Sequence, residues 1–522
     1  MASSETTPLL RQVSATPITP DADVGPEAQN ADEAHEPRGT FARRLTTLNG
    51  FALLISIVIG SGVFSSPGPV DANVPSPGAA LLVWLVGGVL AWTGALTMAE
   101  LGTAIPGEGG IQPYLTHSYG EWVGYLAAWS WIVATMPATL AILSIVFVET
   151  IYSSLGVHEP EPPIAHKLFS LLVLVVVATA NSISTKTSTR LGNFFVAVKL
   201  LAIFLLIVAG LTVVFIYAGS HGKRDMGGGD WHTKGWFEAR DTAGVDWKGV
   251  GLWESLGFYS TALYGALWAY SGWDKANYVA AELVHPKTQL PLAVNTAIPT
   301  IIVCYVAANA VYYVLLPWNV VSTTDAAAVT AVTYFLGKTV AYFASALICL
   351  VIAGSALGNS FVAGRMTVAA ANKAWIPNIF GTVGQVGPFK VSKSDTRNED
   401  EDADEAMDGG ESPINALILS TLLSALYILF GNMRILLTLN GLAEYAFFFL
   451  TVLGAIILRW REPELHRPVK PFILIPILFA IISGFVVVRG AMFALVQAGI
   501  LVAIWGIGVL YYLVRKRVLQ RR

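Results

Sequence analysis

The sequence predicts an all-α polytopic membrane protein with twelve transmembrane helices, the first and the sixth of them broken. Three observations predict it. Of 522 residues, 54% are hydrophobic and 13% charged, about half the charged share usual in a soluble domain, and mean hydropathy is +0.60. Twelve apolar stretches are each long enough to cross about 30 Å of hydrocarbon. Two of them carry glycine-rich interruptions at matching places. A soluble globule of this length needs more charged surface than 32 Lys and Arg with 35 Asp and Glu supply. That excludes a cytosolic enzyme, a nucleic-acid binder and a disordered scaffold, and a net charge of −3 gives no reason to expect a polyanionic partner. The two cysteines, Cys304 and Cys349, lie in apolar runs and provide neither a disulfide framework nor a metal site.

Residues 1–45 are rich in Ser, Thr, Pro, Asp and Glu and are expected to be a disordered cytoplasmic tail. The first apolar stretch, 46–66, is followed by many more, so it serves as the targeting signal and no cleavable one is expected. The next stretches are 78–105, 119–153, 165–182 and 189–218, and the five together make a first repeat over 46–218. Residues 219–251, with Gly, Trp and both charge signs, read as an extracellular loop folded as a small lid over the mouth. The second repeat, 252–459, holds 252–282, 290–316, 330–362, 412–430 and 433–459, with an acidic, disordered cytoplasmic loop at 394–411. Two further helices, 470–489 and 491–514, fill 470–514, and 515–522 is a basic C-tail. Lys and Arg concentrate in the loops on the side of both termini, which places both termini in the cytoplasm.

The breaks carry the functional signal. Ile59-Gly-Ser-Gly-Val-Phe64 lies in the first span, and Tyr264-Gly-Ala-Leu-Trp-Ala-Tyr-Ser-Gly-Trp273 in the sixth. Unwound backbone at membrane depth is tolerated only where it is buried in protein or lines a cavity. The two breaks are five spans apart, an odd offset that turns one copy upside down relative to the other, as in inverted-repeat transporters. The bland alternative is close helix packing through small residues. In the first break, the N–H groups of Ser61, Gly62 and Val63 lose their acceptors and suit a carboxylate. In the sixth, the carbonyls around Trp268–Ser271 suit an ammonium. An anion site facing a cation site describes the head group of a zwitterion, and an α-amino acid fits.

Several ionisable residues fall inside spans. Lys199 lies nine residues beyond Arg190, about 14 Å deeper, too far to snorkel comfortably to the surface. It is read either as a fixed cation stabilising the broken first helix or as a titrating group that couples proton movement. Asp274, Glu282 and Glu444 are the other buried candidates; Asp274 borders the pocket but, as the neighbour of Lys275 on a helix, does not face it. Glu100 and Glu149 read as interfacial, and all eight histidines as tail or loop residues, which argues against a histidine proton relay.

At these residues the sequence resembles a known family. Ile59–Phe64, Ala99-Glu-Leu-Gly-Thr103 and Gly107-Glu-Gly-Gly110 resemble the opening of the amino acid–polyamine–organocation superfamily. Trp268-Ala-Tyr-Ser-Gly-Trp-Asp-Lys-Ala-Asn277, with Glu282-Leu-Val-His-Pro286 and Leu290-Pro291, is similar to the sixth helix of L-type amino-acid transporters. Leu458-Arg-Trp-Arg-Glu-Pro-Glu-Leu-His-Arg-Pro-Val-Lys470 resembles their loop after the tenth helix, and the polar N-tail suggests a fungal member. The resemblance implies a five-plus-five inverted-repeat fold and sodium-independent transport of a neutral L-amino acid. It implies that Ser61 and Gly62 donate to the carboxylate and that the carbonyls of Val58, Trp268 and Ser271 take the ammonium. It further implies that Thr139 and Asp274 border the side-chain pocket and that Lys199 occupies the place of the family's fifth-helix lysine. Animal members typically carry Phe, Gly and Asn where this chain has Trp268, Ser271 and Asp274, which narrows the pocket and, if Asp274 is ionised, admits a cationic side chain. Heteromeric animal members bond a heavy chain through a cysteine after the third span. Residues 153–165 contain none, so no disulfide-linked heavy chain is expected.

The leading expectation is therefore secondary transport of neutral amino acids, by proton symport or exchange. A cationic or methionine-type permease, an amino-acid sensor with little flux, and a channel are the alternatives. No nucleophile–base pair, zinc spacing or phosphate loop points to an enzyme, a metal or a cofactor. The plasma membrane is the expected residence; Glu5-Thr-Thr-Pro-Leu-Leu10, similar to an acidic dileucine sorting signal, leaves vacuolar or endosomal membranes as the alternative.

Overall fold

The computed structural model describes residues 45–520, apart from 106–109, 156–163, 184, 243, 276, 278–282, 325–326, 387–388, 391–411 and 432. The dileucine-like hexapeptide, the acidic run, Glu282 and nearly all of the N-tail lie outside the described residues. The chain is an all-helical, multi-pass membrane protein: ten described helices are long and apolar enough to cross a bilayer.

The helices follow the expected order. The first span is split into α1 (Thr47–Val58) and α2 (Gly62–Ser65), continued by α3 (Pro67–Asp71). Thr46 caps α1 by accepting the Asn49 N–H at 3.4 Å. The second span is α4 (Pro77–Ala104). After the short α5 (Ile111–Tyr119), the third runs through α6 (Glu121–Ser130), a π-turn at Trp131–Thr135 and α7 (Met136–Ser154). Pro137 explains the bulge: it has no N–H to donate, and its ring crowds the carbonyl four residues back. That carbonyl, on Val133, accepts instead from the Tyr427 hydroxyl at 2.9 Å. The fourth and fifth spans are α8 (Ile164–Ile183) and α9 (Thr185–Gly219). Beyond the short α10 (Asp230–Thr233) come α11 (Leu252–Ala269) and α12 (Pro286–Leu315), the sixth and seventh spans.

The expected eighth span, 330–362, is displaced. Its apolar run divides into α14 (Ala327–Leu336), which follows α13 (Trp318–Thr323), and α15 (Lys338–Asn372). Gly337, at φ +83, makes the corner between them, and a hydropathy count does not register a single left-handed residue. The ninth span, α16 (Ile414–Phe430), has 17 residues and the sixth, α11, has 18, both shorter than expected from 412–430 and 252–282. The last three are α17 (Met433–Arg461), α18 (Leu474–Phe493) and α19 (Leu495–Gln520). Packing pairs the second, third and fourth spans with their counterparts five spans on: α4 runs along α12, α7 along α15, and α8 along α16.

The loop 219–251 is folded, but it supplies none of the residues that line the central cavity described below. It docks on the ends of α3, α4 and α12. Arg240 grips the buried Asp71 carboxylate through both oxygens at 2.6 and 2.7 Å, and Tyr313 donates to the same group at 2.6 Å. Burial pushes the Asp71 carboxyl up, opposed by the Arg240 charge and the two hydrogen bonds. Asp230 is also pushed up by burial, but the Lys234 ammonium and the Trp318 N–H more than offset this and hold it below its ordinary value. Arg240 reaches both oxygens through one nitrogen, Nη2, so what matters is the charge: Arg240→Met leaves the buried Asp71 carboxylate without its cation and is expected to cost about 3 kcal/mol. The measurable outcome is a lower melting temperature with faster proteolysis inside 219–251; unchanged proteolysis would mean that the grip does not hold the loop.

Glu100, expected at the interface, is 1% exposed instead. Arg459 Nε meets its carboxylate at 3.0 Å and Arg467 Nε at 3.3 Å, and this neutralisation permits its burial. Glu149 is exposed, as expected of an interfacial residue. His166, read as a loop residue, lies in the first turn of α8 and is buried. The helix starts two residues before it, and its ring packs on Tyr152 with centroids 5.2 Å apart.

Candidate functional site

α1 ends at Val58, where Ile59 leaves helical geometry with ψ 89. A helix that stops leaves its last four carbonyls without intrahelical donors. Inside a membrane protein those groups need other partners, and each finds one. Ile55 accepts from the Ile59 N–H at 3.1 Å, Ser56 from the Lys199 ammonium, Ile57 from Ser355 Oγ at 2.8 Å and Val58 from the Tyr305 hydroxyl at 2.7 Å. Where the chain rewinds, the N–H groups of Phe64 and Ser65 return to the Ser61 carbonyl. Those of Ser61, Gly62 and Val63, at the start of the new turn, take no backbone acceptor among the described residues.

The sixth span breaks after Ala269. The Ser271 N–H turns back to the Trp268 carbonyl at 3.0 Å, and Gly272 adopts φ +104. The two breaks touch. A Cβ on Gly62 would stand 2.5 Å from Ala269 Cα, and one on Gly272 would stand 2.5 Å from Ile57 Cγ2. Tyr305 ties them together, its hydroxyl lying 3.1 Å from the Ala269 carbonyl as well as on Val58.

Beside this junction is a small cavity, partly open to solvent. Its walls come from the first break (Ile57, Gly60, Ser61, Gly62), the sixth (Trp268, Ser271), α7 (Thr139, Leu143), α15 (Ser355, Asn359) and α17 (Glu444). Five of the residues expected from sequence to bind substrate therefore meet at one cavity: Ser61, Gly62, Thr139, Trp268 and Ser271. Val58, Val63, Asp274 and Lys199 stand behind the wall. The Val63 carbonyl accepts from Tyr312 at 3.3 Å, that of Val58 from Tyr305, and that of Trp268 from the Ser271 and Tyr270 N–H groups.

One sequence reading is corrected here. Asp274 does not border the cavity; it is fully buried and faces Lys275, both of its oxygens 3.1 Å from the ammonium. Adjacent residues diverge on a helix, but 271–275 form turns past the break, where the two side chains can converge. Lys275 also reaches Glu444 Oε1 at 3.4 Å, and Ser271 Oγ donates to Glu444 Oε2 at 2.8 Å. Thr139 Oγ1 donates to Asn440 Oδ1 at 3.3 Å, which fixes the hydroxyl at the wall.

Sequence reading missed Ser355, Asn359, Tyr305 and the position of Glu444 at the wall. For the first two a signal existed: Ala353-Gly-Ser-Ala-Leu-Gly-Asn-Ser360 is a run of small and polar residues inside an apolar span. Tyr305, in an ordinary apolar helix, carried none.

The model of the amino acid permease family matches residues 45–516. The chain is 30% identical over 466 residues to the b(0,+)-type amino acid transporter 1 of Homo sapiens, an alignment covering 88% of this chain and 85% of that protein. It is 28% identical over 457 residues to the Asc-type amino acid transporter 1 of Mus musculus, covering 86% and 77%. It is also 28% identical over 495 residues to the large neutral amino acids transporter small subunit 2 of Mus musculus, covering 94% and 84%.

Proposed function

The chain belongs to the amino acid permease family, and from that premise we propose that it is a sodium-independent secondary transporter of neutral L-amino acids working by alternating access. The observation that carries this reading is the contact of two broken helices beside one small cavity. The N–H groups of Ser61, Gly62 and Val63, which take no backbone acceptor among the described residues, supply the pole for a carboxylate. The Trp268 and Ser271 carbonyls at the cavity wall, with the Val58 carbonyl behind them, supply the pole for an ammonium. Together they hold an α-amino acid by its head group, whatever its side chain. The side chain then points at Thr139, Leu143 and Asn359.

Sodium independence is supported by the carbonyls at the end of α1. Freed carbonyls of a broken helix are where a transporter coordinates sodium, but here Lys199, Ser355 and Tyr305 already engage them. The Lys199 ammonium supplies the fixed positive charge that a metal ion would bring. Both termini facing the cytoplasm remain part of the proposal, resting on the Lys and Arg bias of the loops, and the plasma membrane, with vacuolar or endosomal membranes as the alternative, is the proposed residence. So does function without a disulfide-linked heavy chain, since 153–165 carry no cysteine.

The test is uptake of a panel of labelled amino acids into proteoliposomes. Saturable entry of neutral L-amino acids, unchanged when sodium is replaced by choline, is the expected result. Entry of lysine and arginine alone would overturn the neutral assignment, and absence of flux for the whole panel would favour a sensor.

A further inference from the structure

Glu444 is the feature of the cavity that head-group binding leaves unexplained. It lines the cavity and is 1% exposed, and it belongs to a buried cluster with Asp274 and Lys275. Within this cluster two carboxylates share one ammonium, leaving one excess negative charge, and an uncompensated charge at membrane depth is expensive. The ammonium is not shared evenly. Lys275 sits on both oxygens of Asp274 at 3.1 Å and reaches Glu444 through a single oxygen at 3.4 Å. The under-compensated group is therefore Glu444, the one at the cavity wall.

The groups facing it are few. From the turn after α11 come Ser271, Asp274 and Lys275, and on its own helix the adjacent ionisable group is Tyr445. α7 and α15 offer the neutral Thr139, Leu143, Ser355 and Asn359. Lys199, the other deep cation, is committed to the Ser56 carbonyl.

We infer that Glu444 binds a proton and carries it across with the amino acid, so that transport through this site is proton-coupled. The inference rests on the reading of the cavity as an amino-acid site. Both oxygens of Glu444 already accept a hydrogen bond, one from Ser271 and one from Lys275, and almost none of its surface is accessible. A guanidinium or ammonium side chain needs contact area on the carboxylate, whereas a proton does not. The step is a simple association: a proton from water on one side forms an O–H bond to the carboxylate, cancelling the excess charge. It is released to water on the other side when the cavity opens there, and no bond of the substrate changes.

The full-length protein in liposomes, with labelled leucine and a trapped pH-sensitive dye, tests this. In the unaltered protein leucine entry should acidify the lumen by about one proton per leucine, and an acid-outside gradient should drive accumulation. In Glu444→Gln the proton-to-leucine ratio should fall to zero and gradient-driven accumulation should be lost. Should that variant carry no leucine at all, Ser271→Ala decides. Removing the hydrogen bond that favours the ionised carboxylate should move the half-maximal pH of uptake upward. Leucine entry without acidification, an unchanged ratio in Glu444→Gln, or an unmoved profile in Ser271→Ala would each overturn the proposal. So would selective loss of arginine uptake in Glu444→Gln, which would make Glu444 the partner of a cationic substrate. Failure of leucine to exchange even without a gradient would instead sink the neutral amino-acid reading, and this inference with it.

Discussion

Gly62→Ala is expected to reduce uptake to background while leaving the protein in the membrane. The added methyl would stand 2.5 Å from Ala269 Cα and 2.8 Å from Ala269 Cβ, and contact with main chain cannot be relieved by turning a side chain. The junction must open, which moves the N–H groups of Ser61 to Val63 away from the carbonyls of the sixth span. A displacement of about 1 Å in such a constellation costs on the order of a hundredfold in rate. Gly272→Ala should behave alike for two reasons, its φ of +104 and a contact of 2.5 Å with Ile57. Gly441→Ala is the control, because nothing lies within 4 Å of the position where its Cβ would stand. Uptake assays matched for the amount of reconstituted protein check this, and normal uptake by Gly62→Ala would refute the claim that the two breaks must touch.

Lys199→Ala should lower thermal stability by roughly 3–5 kcal/mol, because it removes a buried stem and leaves the Ser56 carbonyl without its donor. The consequence for coupling separates the two roles the sequence leaves open for this lysine. If it is the fixed cation that caps α1, the surviving protein still moves one proton per leucine, at a reduced rate. If it is the coupling group, that ratio collapses. Preserved stoichiometry in Lys199→Ala together with lost stoichiometry in Glu444→Gln is the expected pair of results. The reverse pair would move proton coupling from α17 to α9.

The membrane architecture was legible because apolar length is a local property. A run of about twenty apolar residues has nowhere to go but across the bilayer, and among the described residues ten of the twelve stretches hold a helix long and apolar enough to cross it. The breaks were legible for a similar reason, since Ile59-Gly-Ser-Gly62 and Ser271-Gly272 interrupt helix propensity wherever they sit. Boundaries were less legible. One glycine with positive φ divided the expected eighth span, and the stretch after Ala269 left the helix earlier than its hydropathy implied.

At the site, the sequence by itself determined which backbone groups would be freed, through the placement of Gly60, Gly62 and Gly272. It also determined that a lysine and several acids would be trapped at depth, because spans of fixed length leave them no route to water. Only the tertiary structure decided who partners whom. Asp274 turned to Lys275 rather than to the cavity, Glu444 came to the wall from a helix more than 160 residues away in sequence, and Tyr305 bridged the two breaks. The physical reason is that a charge buried in a bilayer must find compensation within a few ångströms. The available partners are set by which helices lie side by side, a long-range fact that no local stretch of sequence encodes.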